Sequence, residues 1–158
     1  MRSPTDLLAL VVCTLICFAA AAIGGIWTSR SVGTWYKELQ KPSWNPPSWV
    51  FGPVWTALYL MMGISLWLVW RERAPALPLG LFALQLVLNA AWSGLFFGLR
   101  LPGAAFAEIV LLWLAILATV LTFRPIAPVA AVLLLPYLGW VSFASVLNFT
   151  IWRLNAGG

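Results

Sequence analysis

Eleven tryptophans, three tyrosines and no histidine stand in this 158-residue chain. The chemistry open to it therefore rests on aromatic faces and neutral donors. The missing histidine excludes a Ser-His-Asp triad, an H-E-x-x-H zinc motif and histidine-ligated haem. Cys13 and Cys17, four apart in an apolar run, read as small packing residues. A disulfide within one helical turn has poor geometry, and further metal ligands are lacking nearby. No metal site is expected. Glu108 is the one acid inside an apolar run. It reads as an acid suited to a helix N-terminus, snorkelling or meeting Arg100, with a proton or cation relay as the alternative.

Helical periodicity groups the remaining polar and aromatic residues. Gln85, Asn89, Trp92, Ser93 and Phe96 fall on one face of a helix, and Phe51, Trp55, Tyr59 and Met62 on another. Tyr137, Trp140, Ala144, Asn148 and Ile151 share a third, where small Ala144 leaves room among large rings. Together these faces would line an apolar cavity with Asn89, Asn148, Tyr59 and indole N–H groups as its few polar points, the usual form of a small-molecule site. Trp55, Trp92 and Trp140 share faces with polar residues and read as ligand contacts. Trp27, Trp67, Trp70 and Trp152 lie near run ends and read as membrane-interface residues, and Trp113 as a packing or lipid-facing one. Opposite the polar face around Asn89 lie Val87, Ala91, Gly94 and Gly98. The GxxxG spacing permits close helix approach, either in a homodimer or within one bundle.

The elements that must position these residues follow from composition. The chain is 63% hydrophobic and 8% charged, with mean hydropathy +0.96. An average soluble domain is about 25% charged, so this composition predicts an integral membrane protein. Apolar runs cover Leu7–Trp27, Trp49–Trp70, Leu77–Leu99, Ala104–Phe123 and Ile126–Trp152. Each approaches the roughly 20 residues needed to cross a bilayer core. Backbone groups in lipid must pair internally, which predicts an all-α bundle of five transmembrane helices in one domain. The first run is expected to be a retained helix, being longer than a signal h-region. Pro136 would free the carbonyl near Val132 and kink the last helix.

The net charge is +5, without a basic cluster suited to nucleic acid. Arg2, Arg71, Arg73 and Arg124 would share one side, and Arg30, Lys37, Lys41, Arg100 and Arg153 the other. That split is too even to orient the protein. Residues 28–48 form the one long connection. Its stretch Lys41-Pro42-Ser43-Trp44-Asn45-Pro46-Pro47-Ser48-Trp49 forbids a continuous helix and stiffens the backbone. It reads as an aromatic lid over the cavity, with Lys41, Pro42, Pro46 and Pro47 shaping it. Arg30, Lys37 or Lys41 would be placed to meet a carboxylate.

These residues form an ordered set that resembles the TspO/MBR family, the tryptophan-rich sensory proteins and translocator proteins (peripheral-type benzodiazepine receptors). The set runs Trp35-Tyr36, Leu39, Lys41-Pro42-x-Trp44-x-Pro46-Pro47, Phe51, Val54-Trp55 and Leu58-Tyr59. It continues through Gln85-x-x-x-Asn89-x-x-Trp92, Phe96-Phe97, Pro136-Tyr137-Leu138-x-Trp140 and Leu147-Asn148. The resemblance spans nearly the whole chain. It implies a five-helix bundle, often dimeric, with a pocket beneath the first loop. Ligands implied are porphyrins such as protoporphyrin IX and haem, synthetic isoquinoline carboxamides and benzodiazepines, and sterols or lipids. By motif, Trp55, Trp140, Asn89, Tyr59 and Ala144 would stand in the pocket, and Trp35 and Trp44 in the lid. A porphyrin sensor or carrier is the function expected, with no required cofactor. The alternatives are light- and oxygen-dependent porphyrin breakdown, in which only Trp55 and Trp140 would take part, and porphyrin or sterol transport. The family's sterol-recognition stretch has Tyr where Val146-x-x-Phe149-x-x-x-Arg153 has Phe. That departure and the bacterial-like brevity point to porphyrin and to a bacterial membrane, inner or outer.

Overall fold

The computed structural model describes residues 3–156. Arg2, used above to weigh the charge on one side, lies outside the described residues. Helix α1 spans Pro4–Ser31. The Ser3 side chain accepts a hydrogen bond from the Asp6 N–H at 3.2 Å, and Pro4 opens the first turn. Both are helix-start signals, and they set the start three residues before Leu7. The helix also runs past Trp27, because the chain meets no breaker until Gly33. The long connection is correspondingly shorter than residues 28–48. It holds a single turn, α2 (Trp35–Glu38), before α3 begins at Ser48.

Helix α3 spans Ser48–Arg71, with Pro53 inside its early turns. Helix α4 (Ala76–Ser93) continues into a π-helical turn, Gly94–Gly98. Helix α5 covers Pro102–Phe123. The last span is broken into α6 (Pro128–Leu133) and α7 (Leu135–Asn155). The break falls at Leu134, just before Pro136, whose missing N–H leaves a carbonyl one turn back without its donor. The five long apolar helices are each able to cross a membrane by length and composition.

Close approach fixes the pairing. A Cβ on Gly63 of α3 would lie 2.7 Å from the Thr14 Cα of α1, so these backbones touch. Ser65 of α3 donates to the Ala130 carbonyl of α6 at 2.8 Å. One apolar core centres on Cys17, Met62, Phe82, Ile116 and Tyr137. A second, under the connection, holds Tyr36, Phe96, Phe97, Ala105 and Ile151.

Several packing expectations are corrected. The open sides of Gly94 and Gly98 face Trp27 of the same chain, where a Cβ would stand 3.3 and 2.9 Å from the indole. The GxxxG spacing thus serves α1 docking, and the dimer face drawn through Ala91, Gly94 and Gly98 loses its two glycines. Trp27 is accordingly a packing residue rather than an interface one. Trp67 is also buried, with the Arg71 guanidinium 4.6 Å from its ring. Trp152 packs over Gly103 and Phe106, whereas Trp70 is exposed. Trp113 donates to the Ser142 hydroxyl at 2.8 Å. Glu108 is buried, and neither carboxyl oxygen has a hydrogen-bond partner among the described residues. The expected contact with Arg100 is not made.

Candidate ligand cavity

A cavity of about 380 Å³ opens between α1, α3, α4 and α7. That lies within the roughly 300–1,000 Å³ of small-molecule sites. Helix periodicity delivers each wall. From α3 come Phe51, Trp55 and Tyr59. From α4 and its π turn come Asn89, Trp92, Phe96 and Phe97, and from α7 come Trp140, Ala144, Leu147 and Asn148. The three faces expected from periodicity are therefore brought together.

The rings interlock. Trp55 and Trp140 meet edge to face, with centroids 6.4 Å apart and planes at 88°. Trp55 also packs on Tyr59 at 5.7 Å, and Phe51 on Trp140 at 6.0 Å. Trp92 stacks on Phe96 at 5.1 Å. Edge-to-face and offset arrangements are those the ring quadrupole favours.

Hydrogen bonds consume most of the polar atoms. Tyr59 donates to Asn89 Oδ1 at 2.6 Å, Asn89 Nδ2 donates to the Tyr137 hydroxyl at 2.7 Å, and Tyr137 donates to Gln85 Oε1 at 2.8 Å. This chain joins three helices beneath the cavity. Trp92 Nε1 donates to Asn148 Oδ1, and Asn148 Nδ2 to the Pro102 carbonyl, both at 2.8 Å. Asn148 thus ties α4 to the start of α5. Trp140 Nε1 is buried and has no partner among the described residues. The Trp140 ring lines the cavity, while its N–H is closed off from that space.

Other expected residues stand elsewhere. Gln85 is buried below the cavity and ends the hydrogen-bond chain. Trp35 lies against Phe96 from outside, with centroids 5.5 Å apart, and lines a second, more open hollow with Arg100 and Trp152. Trp44 is exposed and meets Phe143 edge on at 5.8 Å. Neither indole lines the cavity. The connection does cover its end, through Tyr36, a lining residue. The Tyr36 hydroxyl donates to Asn45 Oδ1 at 3.1 Å. Burial pushes its phenol above the ordinary range.

Lys41 has a different task from the one expected. Its ammonium donates to the carbonyls of Tyr36 (2.8 Å), Leu39 (3.0 Å) and Lys37 (3.3 Å). An ammonium has three donors, so all are committed to holding the loop, beside the Tyr36 ring. Asn155 adds a two-point clamp. The Gln40 N–H donates to Asn155 Oδ1 at 3.1 Å, and Asn155 Nδ2 donates to the Gln40 carbonyl at 2.9 Å. Pro42, Pro46 and Pro47 lie in the irregular stretch that follows, where a turn at Ser43-Trp44 is closed by the Asn45 N–H on the Pro42 carbonyl at 3.1 Å.

The wall missed by sequence reasoning is α1, through Phe18, Ala21, Gly24, Gly25, Thr28 and Val32. Their spacing is helical, but the residues are mostly small, so the signal was a lack of bulk. Phe143 and Tyr36 were missed as lining too, whereas Ser93 lines the cavity from the face expected of it.

An all-helical, five-span bundle enclosing an indole-walled cavity beneath a clamped loop defines an integral, multi-pass membrane protein. The profile of the TspO/MBR family matches residues 13–153, and the chain belongs to that family. It is 46% identical to the tryptophan-rich protein TspO of Chlorobaculum tepidum, across 95% of this chain and 98% of that one. Similarity to the translocator protein of Homo sapiens is 47% over 78% of this chain and 76% of the relative. With the translocator protein of Sus scrofa it is 44%, over 86% of each.

Proposed function

We propose that the cavity binds a flat, apolar amphiphile of the porphyrin class, protoporphyrin IX or haem, and that the protein acts as its membrane-embedded sensor or carrier. The observation that carries this reading is the wall itself: three indoles, Trp55, Trp92 and Trp140, around an apolar space within small-molecule size. Stacked and edge-on indoles suit a large ring. Isoquinoline carboxamides and benzodiazepines, with flat apolar rings of their own, belong to the same proposal. Exposed Arg30 and Lys37 are the cations near the covered end that remain for porphyrin carboxylates, since Lys41 is committed. Val146 and Phe149 are exposed on the outside of α7, so a sterol or lipid would sit there rather than in the cavity. A homodimer would use faces other than that of Gly94 and Gly98.

The test is a titration of tryptophan fluorescence with protoporphyrin IX in detergent micelles. Saturable quenching is expected, with affinity falling about tenfold in Trp140→Phe, the effect of roughly 1.4 kcal/mol. Linear, non-saturating quenching in the unaltered chain would refute the reading.

A further inference from the structure

We propose that ligand enters the cavity sideways from the bilayer, through a cleft between α1 and α3 edged by Gly25 and Gly52. The proposal rests on the reading of the cavity as a ligand site and adds its route and the ligand's class: an amphiphile already dissolved in the membrane.

The two helices run antiparallel and touch at Thr14 and Gly63, where a Cβ would meet backbone at 2.7 Å. Eleven residues along α1 from Thr14 stands Gly25, and eleven back along α3 from Gly63 stands Gly52. At about 1.5 Å per residue, that is roughly 16 Å toward the clamped loop. Both glycines line the cavity and both are exposed. No atom of another element among the described residues comes within 4 Å of a Cβ at either position. Helices in contact at one level have therefore parted at the other.

The cause is on the far side of α1. A Cβ on Gly24 would sit 3.1 Å from Ser93 Oγ of α4. Trp27 fills the space beside Gly94 and Gly98, and Ser31 Oγ donates to the Phe97 carbonyl at 2.6 Å. These contacts draw the last turns of α1 onto α4 and away from α3.

The cleft opens onto apolar surface. Ile26 beside it is 51% exposed, and Trp49, one turn before Gly52, is 75% exposed. Thr56 lines the cavity and is exposed, and its hydroxyl is taken up by the Gly52 carbonyl at 2.8 Å. The water-facing end is held by the Asn155 clamp on Gln40, the Lys41 bonds and the Tyr36–Asn45 bond. A flat ring can pass edge-on between two residues that lack side chains, whereas entry from water must break that set of bonds.

The experiment uses the full chain in lipid nanodiscs and follows tryptophan quenching by protoporphyrin IX in a stopped flow. Gly25→Leu with Gly52→Leu should slow association about tenfold and slow dissociation with it, as about 1.4 kcal/mol of added barrier would. A damaged pocket would speed dissociation instead. Asn155→Ala, which loosens the loop, should leave both rates within about twofold. Unchanged rates in the double variant, or faster rates in Asn155→Ala, would overturn the lateral route. A readout without porphyrin separates failure of the route from failure of the ligand assignment. In a Cys13→Ala, Cys17→Ala background, Ala144→Cys should react with a bilayer-dissolved maleimide faster than with a charged, water-soluble thiosulfonate. The leucine pair should slow the maleimide. Preference for the charged reagent would refute the cleft whatever porphyrin does.

Discussion

Replacing Asn89 by Leu removes the centre of the hydrogen-bond chain while keeping nearly the same volume. Tyr59, Asn89 and Tyr137 are all buried, at 6%, 4% and 0% exposure. The change leaves the Tyr59 O–H without its acceptor and takes from the Tyr137 oxygen one donor, while Tyr137 still donates to Gln85. In a water-soluble core, one orphaned buried group costs about 1–3 kcal/mol. In a bilayer the unfolded helices also find partners, and interhelical bonds average only about 0.6 kcal/mol, reaching about 1.7. The 2.6 and 2.7 Å bonds join different helices, so both are lost between elements. Two such bonds predict a loss of about 1–2 kcal/mol for Asn89→Leu. Adding Tyr59→Phe removes the orphan, so the double variant should be no less stable than Asn89→Leu alone. The coupling should come out near 1 kcal/mol, above the roughly 0.3–0.5 kcal/mol scatter of independent sites. Reversible unfolding by SDS in mixed micelles, followed by circular dichroism, measures all three. Additive single losses would refute the claim that this amide is structurally shared by the two tyrosines.

Gly63→Ala should destabilise by about 1–3 kcal/mol in the same assay, because its methyl meets Thr14 backbone that cannot swing aside. Adjacent Gly24 and Gly25 should respond differently. Gly25→Ala enters open space and should stabilise α1 by up to about 1 kcal/mol, whereas Gly24→Ala meets Ser93 at 3.1 Å and should gain nothing. Equal effects would contradict the splay of α1 from α3. Tyr36 gives a pH dependence. Burial raises its pKa above 10.0, so folding favours the protonated phenol. Its contribution is full below the unfolded value of about 10 and is lost as pH rises through the folded one. Protease cleavage between α2 and α3 should therefore rise at alkaline pH, and Tyr36→Phe, which keeps Lys41, should flatten that rise.

The spans were legible because lipid imposes one rule on every turn: apolar side chains outward and backbone paired within the helix. Three cavity walls were legible for a related reason, since Trp55 with Tyr59, Asn89 with Trp92, and Trp140 with Ala144 repeat at helical spacing. The first wall was hidden by its own chemistry. Ala21, Gly24, Gly25 and Thr28 line the cavity by being small, and small residues also mark ordinary packing. Trp35 and Trp44 were misplaced because a proline-rich connection has no period from which to read direction. Lys41 was misassigned since its three acceptors are carbonyls, which any residue supplies and no sequence pattern displays. The boundary at Ser31 was missed because the apolar run ends at Trp27 while the helix continues through polar residues up to Gly33, the first breaker.

The π turn explains why one glycine pair can serve two purposes. Successive helical residues differ in direction by about 100°, so Gly24 faces Ser93 while Gly25 faces the parting with α3. Phe97 stands one residue before the helix ends at Gly98, where carbonyls have no donor within the helix. In the π turn the Leu99 N–H bonds the Gly94 carbonyl at 2.7 Å, and the Leu101 N–H the Leu95 carbonyl at 2.9 Å. The Phe97 carbonyl is left to take the Ser31 hydroxyl. Such turns recur at functional sites. Here the Ser31 contact holds α1 against α4, and holding it there is what keeps α1 off α3. The widened turn thus stands on one side of the cavity and shapes the opening on the other.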